Sequence, residues 1–413
     1  MTPSSFQFLL YILLLSSSIF LASTFFCYSQ SLSPTDFIIM EGERLLTIKS
    51  RLQEVNKDKR DSALSILIEQ AEEQLKSGPY TVVNKKQVPP SGSKNDYISM
   101  GPYWWPDPNK EDGLPYIRRD GEVNPEYYDY TDTEQLEKLM EALKILSVAY
   151  FYTEEEKYAS HAISLFRTWF IAPETKMNPH LKFGQRIPGI TEGRRSGIID
   201  TRSFVLLPDY VRLLSTSTHW DTGEEEVFKE WMADFVHWLV NSVHGKEEAV
   251  HGNNHSTWYF TQILPMALYL GQGERADSLA TAGFPIIMEE MIEEDGTQPK
   301  ELGRTRTWDY STMNLLAMFY YARANEHLDK DLWNYTNQKG GTLKAALDYL
   351  VPYADGKKEW PHKQITPFEN EIAKICLNIG TLKFENKSYF EVSQAINSPE
   401  HDFHYLDVLY LLP

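Results

Sequence analysis

Cysteine is nearly missing from this chain. Of 413 residues only Cys27 and Cys376 carry a thiol, and Cys27 falls in an apolar N-terminal stretch that reads as a leader. Its removal leaves Cys376 alone, so the mature chain forms no internal disulfide and no cysteine metal cluster. Cys376 is expected in the core. Basic charge is also short: 40 Lys and Arg stand against 58 Asp and Glu, a net charge of −18. That balance disfavours nucleic acid and anionic membrane surfaces as partners. No stretch alternates apolar and polar residues like a strand series, and no fixed period marks a solenoid. The zinc signature HExxH is absent as well. His251 and His255 have the i, i+4 spacing of a zinc pair, but the glutamate is missing and position 254 is Asn. No metal is expected and no cofactor is called for.

Residues 8–27, FLLYILLLSSSIFLASTFFC, precede YSQSLSP and read as a secretory signal. Cys27 and Ser29 supply small residues at the −3 and −1 positions of a cleavage site, so residues 1–29 are assigned as signal peptide. No Lys or Arg precedes the apolar run, and an uncleaved membrane anchor is the alternative. The expected location is secreted or periplasmic, with no stable membrane insertion after cleavage. Residues 30–413 contain no linker that would divide them and read as a single domain. A small appendage after about Asn378 is compatible with that reading. Nothing in the sequence sets an oligomeric state.

Aromatic residues are plentiful, with 10 Trp, 24 Tyr and 20 Phe. They can fill a large core and still line a cleft. Helical spacing recurs in pairs from residue 133: TEQLEKLMEALKILSVAYFYT and EEKYASHAISLFRTWFI, then 202–214 with 224–243, 254–270 with 275–290, and further runs at 309–326, 341–351, 367–377 and 388–396. Two more amphipathic runs lie between residues 35 and 76. Helical hairpins carrying polar and aromatic loops predict an all-α fold, an incomplete α/α toroid of about six to seven hairpins. Residues 77–133 and 172–201 break the pattern and are expected as ordered loops. NDYISMGPYWWPDP is the densest part, and the faces of Tyr103, Trp104 and Trp105 suit sugar rings.

The stretch HGNNHSTW, 251–258, sets an amide, Asn254, beside an imidazole, His255, at a helix start, where free N–H groups attract an anion. Pro265 can kink the helix that follows. Some fifty residues on, ELGRTRTWDYS places Arg304, Arg306 and Tyr310 at another helix start. An amide, an imidazole, a guanidinium and a phenol suggest a site for a carboxylate-bearing substrate. Lys182, Arg186, Arg194, Arg195 and Arg202 form a second basic stretch, part of it expected along the cleft. His161, His237 and His327 sit within helical patterns and are expected to be structural. The glycosylation pattern at Asn254–Ser256 is taken as accidental, because modification there would block the cleft.

These residues, with RRDGEVNPE (118–126), NPHLKFGQRIPG and EGRRSGIIDTR (178–202) and WPHKQI (360–365), occur in an order that resembles polysaccharide lyases of the alginate lyase superfamily. The resemblance spans most of the mature chain. It implies an incomplete α/α toroid that cleaves uronic-acid polymers by β-elimination. It further implies that Asn254, His255, Arg304 and Tyr310 form the catalytic group. Asn178, Gln185, Arg186 and Arg306 would bind substrate beside the three aromatics. The arginine-to-tyrosine spacing in RTRTWDY is one residue shorter than in mannuronate-specific enzymes. It leaves either Arg304 or Arg306 for the critical carboxylate contact, and leans towards the branch that includes alginate and glucuronan lyases.

Eliminating a 4-linked uronate means removing the C5 proton beside a carboxylate and expelling the C4 oxygen. Asn254, His255 and an arginine can neutralise the carboxylate. Tyr310 serves as base, acid or both when proton and leaving group share a face, with arginine charge expected to lower its pKa. Where they lie on opposite faces, His255 is the base and Tyr310 the acid. Two other functions fit the same residues. One is an α/α-toroid glycoside hydrolase using Asp200 and Asp309 as its carboxylates. The other is a non-catalytic polyuronate-binding protein.

Overall fold

A computed structural model describes residues 32–396, and the expected leader lies outside them. The chain is mostly helical, 59% helix against 4% strand. In order, the helices are α1 (Gly42–Glu54), α2 (Lys57–Ala63), α3 (Ser65–Gln74), α4 (Asp132–Thr153), α5 (Glu156–Phe170), α6 (Leu207–Leu214), α7 (Thr222–Asn241), α8 (Val243–Ala249), α9 (Asn254–Tyr269), α10 (Gly273–Phe284), α11 (Pro299–Leu302), α12 (Thr307–Glu326), α13 (Leu343–Ala354), α14 (Glu371–Lys383) and α15 (Lys387–Ala395).

Sequence decides which helices face inward. In α4, α9 and α12 whole runs are buried on every side: Ile145–Tyr152, Ser256–Ala267 and Leu315–Ala322. A helix apolar all round must be enclosed. These three, with α6 and α14, pack in the succession α4, α6, α9, α12, α14 as the inner wall of an incomplete α/α toroid. The outer helices carry a single apolar stripe, as in α13 with Leu343, Ala346, Leu347, Leu350 and Tyr353. Where α5 meets α7, Phe166, Phe170, Phe228 and Trp231 interlock with ring centroids 4.8 to 5.3 Å apart. Helix α9 runs through Pro265 without a break, its packing on all sides offsetting the lost hydrogen bond and the clash of the ring with the preceding turn.

The N-terminal segment closes onto the wall. Buried Asp209 of α6 accepts the backbone N–H groups of Ile38, Ile39 and Met40 at 2.7, 2.8 and 2.6 Å. His327 and Arg323 bond the carbonyls of Ile38 and Met40, each at 3.1 Å. The structural role expected of His327 is what these bonds provide, and His161 likewise meets the Ser77 carbonyl at 3.0 Å. Cys376 is fully buried.

Two departures from the expected loops bear on the site. Four short strands, β1 (Ile98–Met100), β2 (Trp104–Trp105), β3 (Ile117–Arg118) and β4 (Phe183–Arg186), form two small sheets, β1 parallel to β4 and β2 antiparallel to β3. The β1–β4 register slips between Ile98 and Met100, and Gln185 takes up the slip with φ +49. That left-handed conformation is uncommon outside glycine. Gly197 is needed opposite it, because a Cβ there would come within 2.5 Å of the Gly184 backbone. Part of the second expected loop is instead a 3-10 helix, Arg195–Leu206, which leads directly into α6. Its tighter winding shows no 3.6-residue period, so the sequence reads as irregular.

Candidate active site

Four of the expected residues lie at the N-terminal ends of two adjacent wall helices, α9 and α12. Asn253 caps α9, its side chain accepting the His255 N–H at 3.0 Å. Gly252 supplies the turn before it at φ +82. Asn254 and His255 therefore occupy the first turn, where the helix dipole favours negative charge, although the His255 N–H is taken by Asn253 and the Asn254 N–H by Glu301. The start of α12 is strapped by residues 360–369. Trp308 is fully buried against Trp360 and Phe368, with centroids at 5.2 and 5.1 Å, and truncating such a side chain typically costs about 3–5 kcal/mol. Trp360 donates its indole N–H to Thr307 at 2.8 Å. The WPHKQI stretch is thus a buttress for the Arg304–Tyr310 turn.

Two fully buried carboxylates hold the amide and the imidazole. Glu301 of α11 accepts the backbone N–H of Asn254 at 2.8 Å and its side-chain amide at 2.6 Å. Burial raises the Glu301 pKa, partly offset by those two hydrogen bonds and by the charges of Arg304 and His255. Asn254 is itself fully buried and its Oδ1 has no partner. His255 Nδ1 lies 2.6 Å from Glu248 Oε1 at the end of α8, and Arg195 donates to the other oxygen at 3.2 Å.

Of the two candidate arginines, Arg304 makes the contact with Tyr310. Its guanidinium sits 4.1 Å from the centre of the tyrosine ring. Asp120 from the long loop grips it twice, at 3.2 Å from Nε and 2.9 Å from Nη2. Arg306 instead pairs with Asp309 at 2.7 Å, within electrostatic reach of Tyr103 and Tyr310. The Tyr310 hydroxyl donates to that of Tyr103 at 2.8 Å. Contrary to the expected lowering by arginine charge, the Tyr310 phenol is shifted upwards. Burial is the main cause and Tyr103 adds to it, while Arg304 only partly opposes them.

Trp104 and Trp105 are half-buried beside Tyr103. Arg194 lies over Trp104 at 5.8 Å and Arg119 over Trp105 at 4.8 Å. Arg186 donates to the Tyr130 hydroxyl at 2.7 Å and pairs with Glu192 at 3.1 Å. Gln185 is buried with both ends of its amide used, giving to Asp200 at 3.0 Å and accepting from Arg194 at 2.7 Å. Asn178 bonds Asp96 at 2.5 Å, beside His180.

The carboxylates nominated for hydrolysis are both engaged elsewhere. Asp200 accepts from Ser99 at 2.6 Å, Tyr97 at 3.1 Å and Gln185. Asp309 accepts from Arg306, from Gln364 at 2.9 Å and from Thr366 at 3.2 Å. Among the described residues no group of three or more His, Cys, Asp or Glu is arranged to hold a metal ion. Sequence reasoning missed Glu248 and Asp120. Asp120 and Glu301 stood inside the quoted motifs RRDGEVNPE and ELGRTRTWDYS, but neither was given a role in the site.

The sequence profile of the family described as alginate lyase matches residues 81–360. Among solved structures, an alginate lyase from Bacteroides ovatus is 35% identical, with a TM-score of 0.81 over 88% of this chain and 96% of that one. Alginate lyase A1-III from Sphingomonas species A1 is 15% identical at a TM-score of 0.50, covering 87% of this chain and 92% of that one. A variant of alginate lyase A1-III complexed with tetrasaccharide is 16% identical at the same TM-score, covering 80% and 81%. These last two share the fold. No curated protein sequence matches the chain.

Proposed function

The chain belongs to the alginate lyase family and is a polysaccharide lyase, and from that membership we propose that it cleaves 4-linked uronic-acid polymers, alginate or a related polyuronate such as glucuronan, by metal-independent β-elimination. One observation carries the reading: Arg304 lies on the ring of Tyr310, whose phenol burial keeps protonated. A carboxylate-binding cation and a proton donor thereby share one place. Asn254, His255 and Arg304 neutralise the uronate carboxylate and the charge that develops as C5 loses its proton. Tyr310 delivers a proton to the departing C4 oxygen. Asn254 gives one amide N–H to Glu301, which leaves its second amide N–H uncommitted.

Tyr103, Trp104 and Trp105 supply the aromatic side of the groove, with Arg186 and Arg306 along it. Gln185, buried between Asp200 and Arg194, supports Arg194 rather than touching sugar. The local basic groups, not the net charge, attract the polyanion. The apolar residues 8–27 serve as a secretory signal in this reading, with the mature protein secreted or periplasmic. Among the described residues no helix is long and apolar enough to cross a membrane.

The test is absorbance of the unsaturated uronate formed on a panel of mannuronate-, guluronate- and glucuronate-rich polymers. A lyase forms that chromophore on at least one of them. Reducing ends without the chromophore would indicate hydrolysis, and binding with neither would indicate a non-catalytic protein.

A further inference from the structure

To act as a base His255 needs one ring nitrogen without a proton. A neutral imidazole carries one N–H and one bare nitrogen, and the partner of one nitrogen fixes the state of the other. His255 Nδ1 faces Glu248 Oε1 at 2.6 Å, and the Glu248 side chain is 0% exposed while that of His255 is 19% exposed. The carboxylate cannot turn away. Arg195 donates to Oε2 at 3.2 Å, and the Glu248 backbone carbonyl accepts the Ser256 hydroxyl at 2.8 Å. Ser256 in turn accepts the Gly252 N–H at 2.7 Å, so the glutamate is locked to the same turn that carries His255. A guanidinium only donates, so Glu248 accepts from Arg195, and it accepts from His255 as well when the imidazole carries its proton on Nδ1.

We propose that Glu248 is the positioning residue for His255: it holds the proton on Nδ1 and leaves Nε2 bare as the base for uronates whose C5 hydrogen and C4 oxygen lie on opposite faces. This rests on the lyase reading above. In a guluronate residue the C5 hydrogen and the C4 oxygen are on opposite faces. Nε2 takes the C5 proton, the C5–H pair becomes the C4=C5 double bond, and the C4–O pair leaves with the oxygen, which takes the Tyr310 proton. The imidazolium formed then holds two N–H groups, one of them on the Glu248 carboxylate. In mannuronate and glucuronate the two groups share a face, Tyr310 handles both protons, and His255 serves only the carboxylate. Glu248 therefore sets how well the enzyme handles guluronate relative to the other two.

Long-range proton–nitrogen NMR spectra of the full chain with labelled histidine, assigned by a His255→Ala sample, read the tautomer without altering Glu248. The expected spectrum shows Nδ1 protonated and Nε2 bare. Glu248→Gln is expected to lower kcat on guluronate-rich polymer roughly 10–100-fold with KM close to that of the parent, as for loss of a charge-assisted bond felt in the transition state. Its effect on mannuronate-rich polymer is expected to be several-fold smaller, and Glu248→Asp should recover part of the guluronate rate. An Nε2–H tautomer, or equal losses on both polymers with a raised KM, overturns the assignment. If the Gln variant does not fold, the parent's tautomer still decides. A protein that cleaves polymer yet holds Nε2–H refutes the role of Glu248 alone. A protein that forms no unsaturated uronate on any polymer refutes the lyase reading, and the base assignment with it.

Discussion

The hydroxyl of Tyr310 donates to the hydroxyl of Tyr103 at 2.8 Å, joining two residues 207 positions apart. One belongs to the first turn of a wall helix and the other to an aromatic loop, so the bond sets the distance between proton donor and sugar-stacking surface. Tyr103→Phe should therefore lower kcat by roughly 2–10-fold, the scale of one neutral hydrogen bond. Steady-state kinetics on the preferred polymer checks this. A loss as large as that of Tyr310→Phe would mean that Tyr103 itself transfers the proton.

Asp120 and Arg304 form a largely enclosed bidentate pair, their side chains 24% and 18% exposed. Burial works against the Asp120 charge, but the hydrogen bonds and charge of Arg304 outweigh it and lower the pKa from 3.8. The pair therefore contributes stability above the ordinary aspartate range and loses it as pH falls through the lowered folded value. Asp120→Asn should cost about 1.5–3 kcal/mol near neutral pH and raise KM, since Arg304 loses its anchor. Denaturant unfolding at neutral and acid pH, with the difference between parent and variant shrinking in acid, is the check.

Same-face uronates should show a distinctive pH response. The Tyr310 phenol lies above its ordinary value of 10.0, through burial first and Tyr103 second, so the ionised base form is scarce at neutral pH. While it remains scarce it grows tenfold for each pH unit. On mannuronate- or glucuronate-rich polymer kcat/KM should rise steadily from about pH 6 to about pH 9, as a general base of high pKa requires. A flat or falling profile over that range, in protein still folded by circular dichroism, would remove Tyr310 as the base.

Lys85 and Asp132 form an ion pair with both side chains 1% exposed, and Asp132 also accepts the Ile98 N–H at 2.9 Å. The pair fastens the start of α4 to the strand that leads into the aromatic loop. Asp132→Asn leaves the Lys85 charge buried without its counter-ion and should cost about 3–5 kcal/mol. Chemical denaturation measures it, and a loss under 1 kcal/mol would contradict the assigned role.

What the sequence made legible was local. Asn254 and His255 were readable because a capping Asn and a positive-φ glycine precede an apolar run, and helix starts are written in neighbouring residues. The buried helices α9 and α12 declared themselves by unbroken apolar stretches. Asp120 was hidden because it reaches Arg304 across 184 residues, and no spacing rule encodes such a contact. Glu248 was hidden for a different reason: it ends a seven-residue helix, too short for a period to show. The upward shift of the Tyr310 phenol depends on how deeply the ring is enclosed, which packing decides, while the opposing arginine was visible in the motif.

The central claim is that Tyr310 moves the proton, and initial rates of unsaturated uronate formation by Tyr310→Phe against the parent test it most directly. The substitution removes one oxygen and leaves the ring beneath Arg304. On every polymer that the parent cleaves, kcat should fall by ~10²–10⁴ with KM nearly unchanged. Near-normal turnover by the folded variant on any of those polymers would contradict the account.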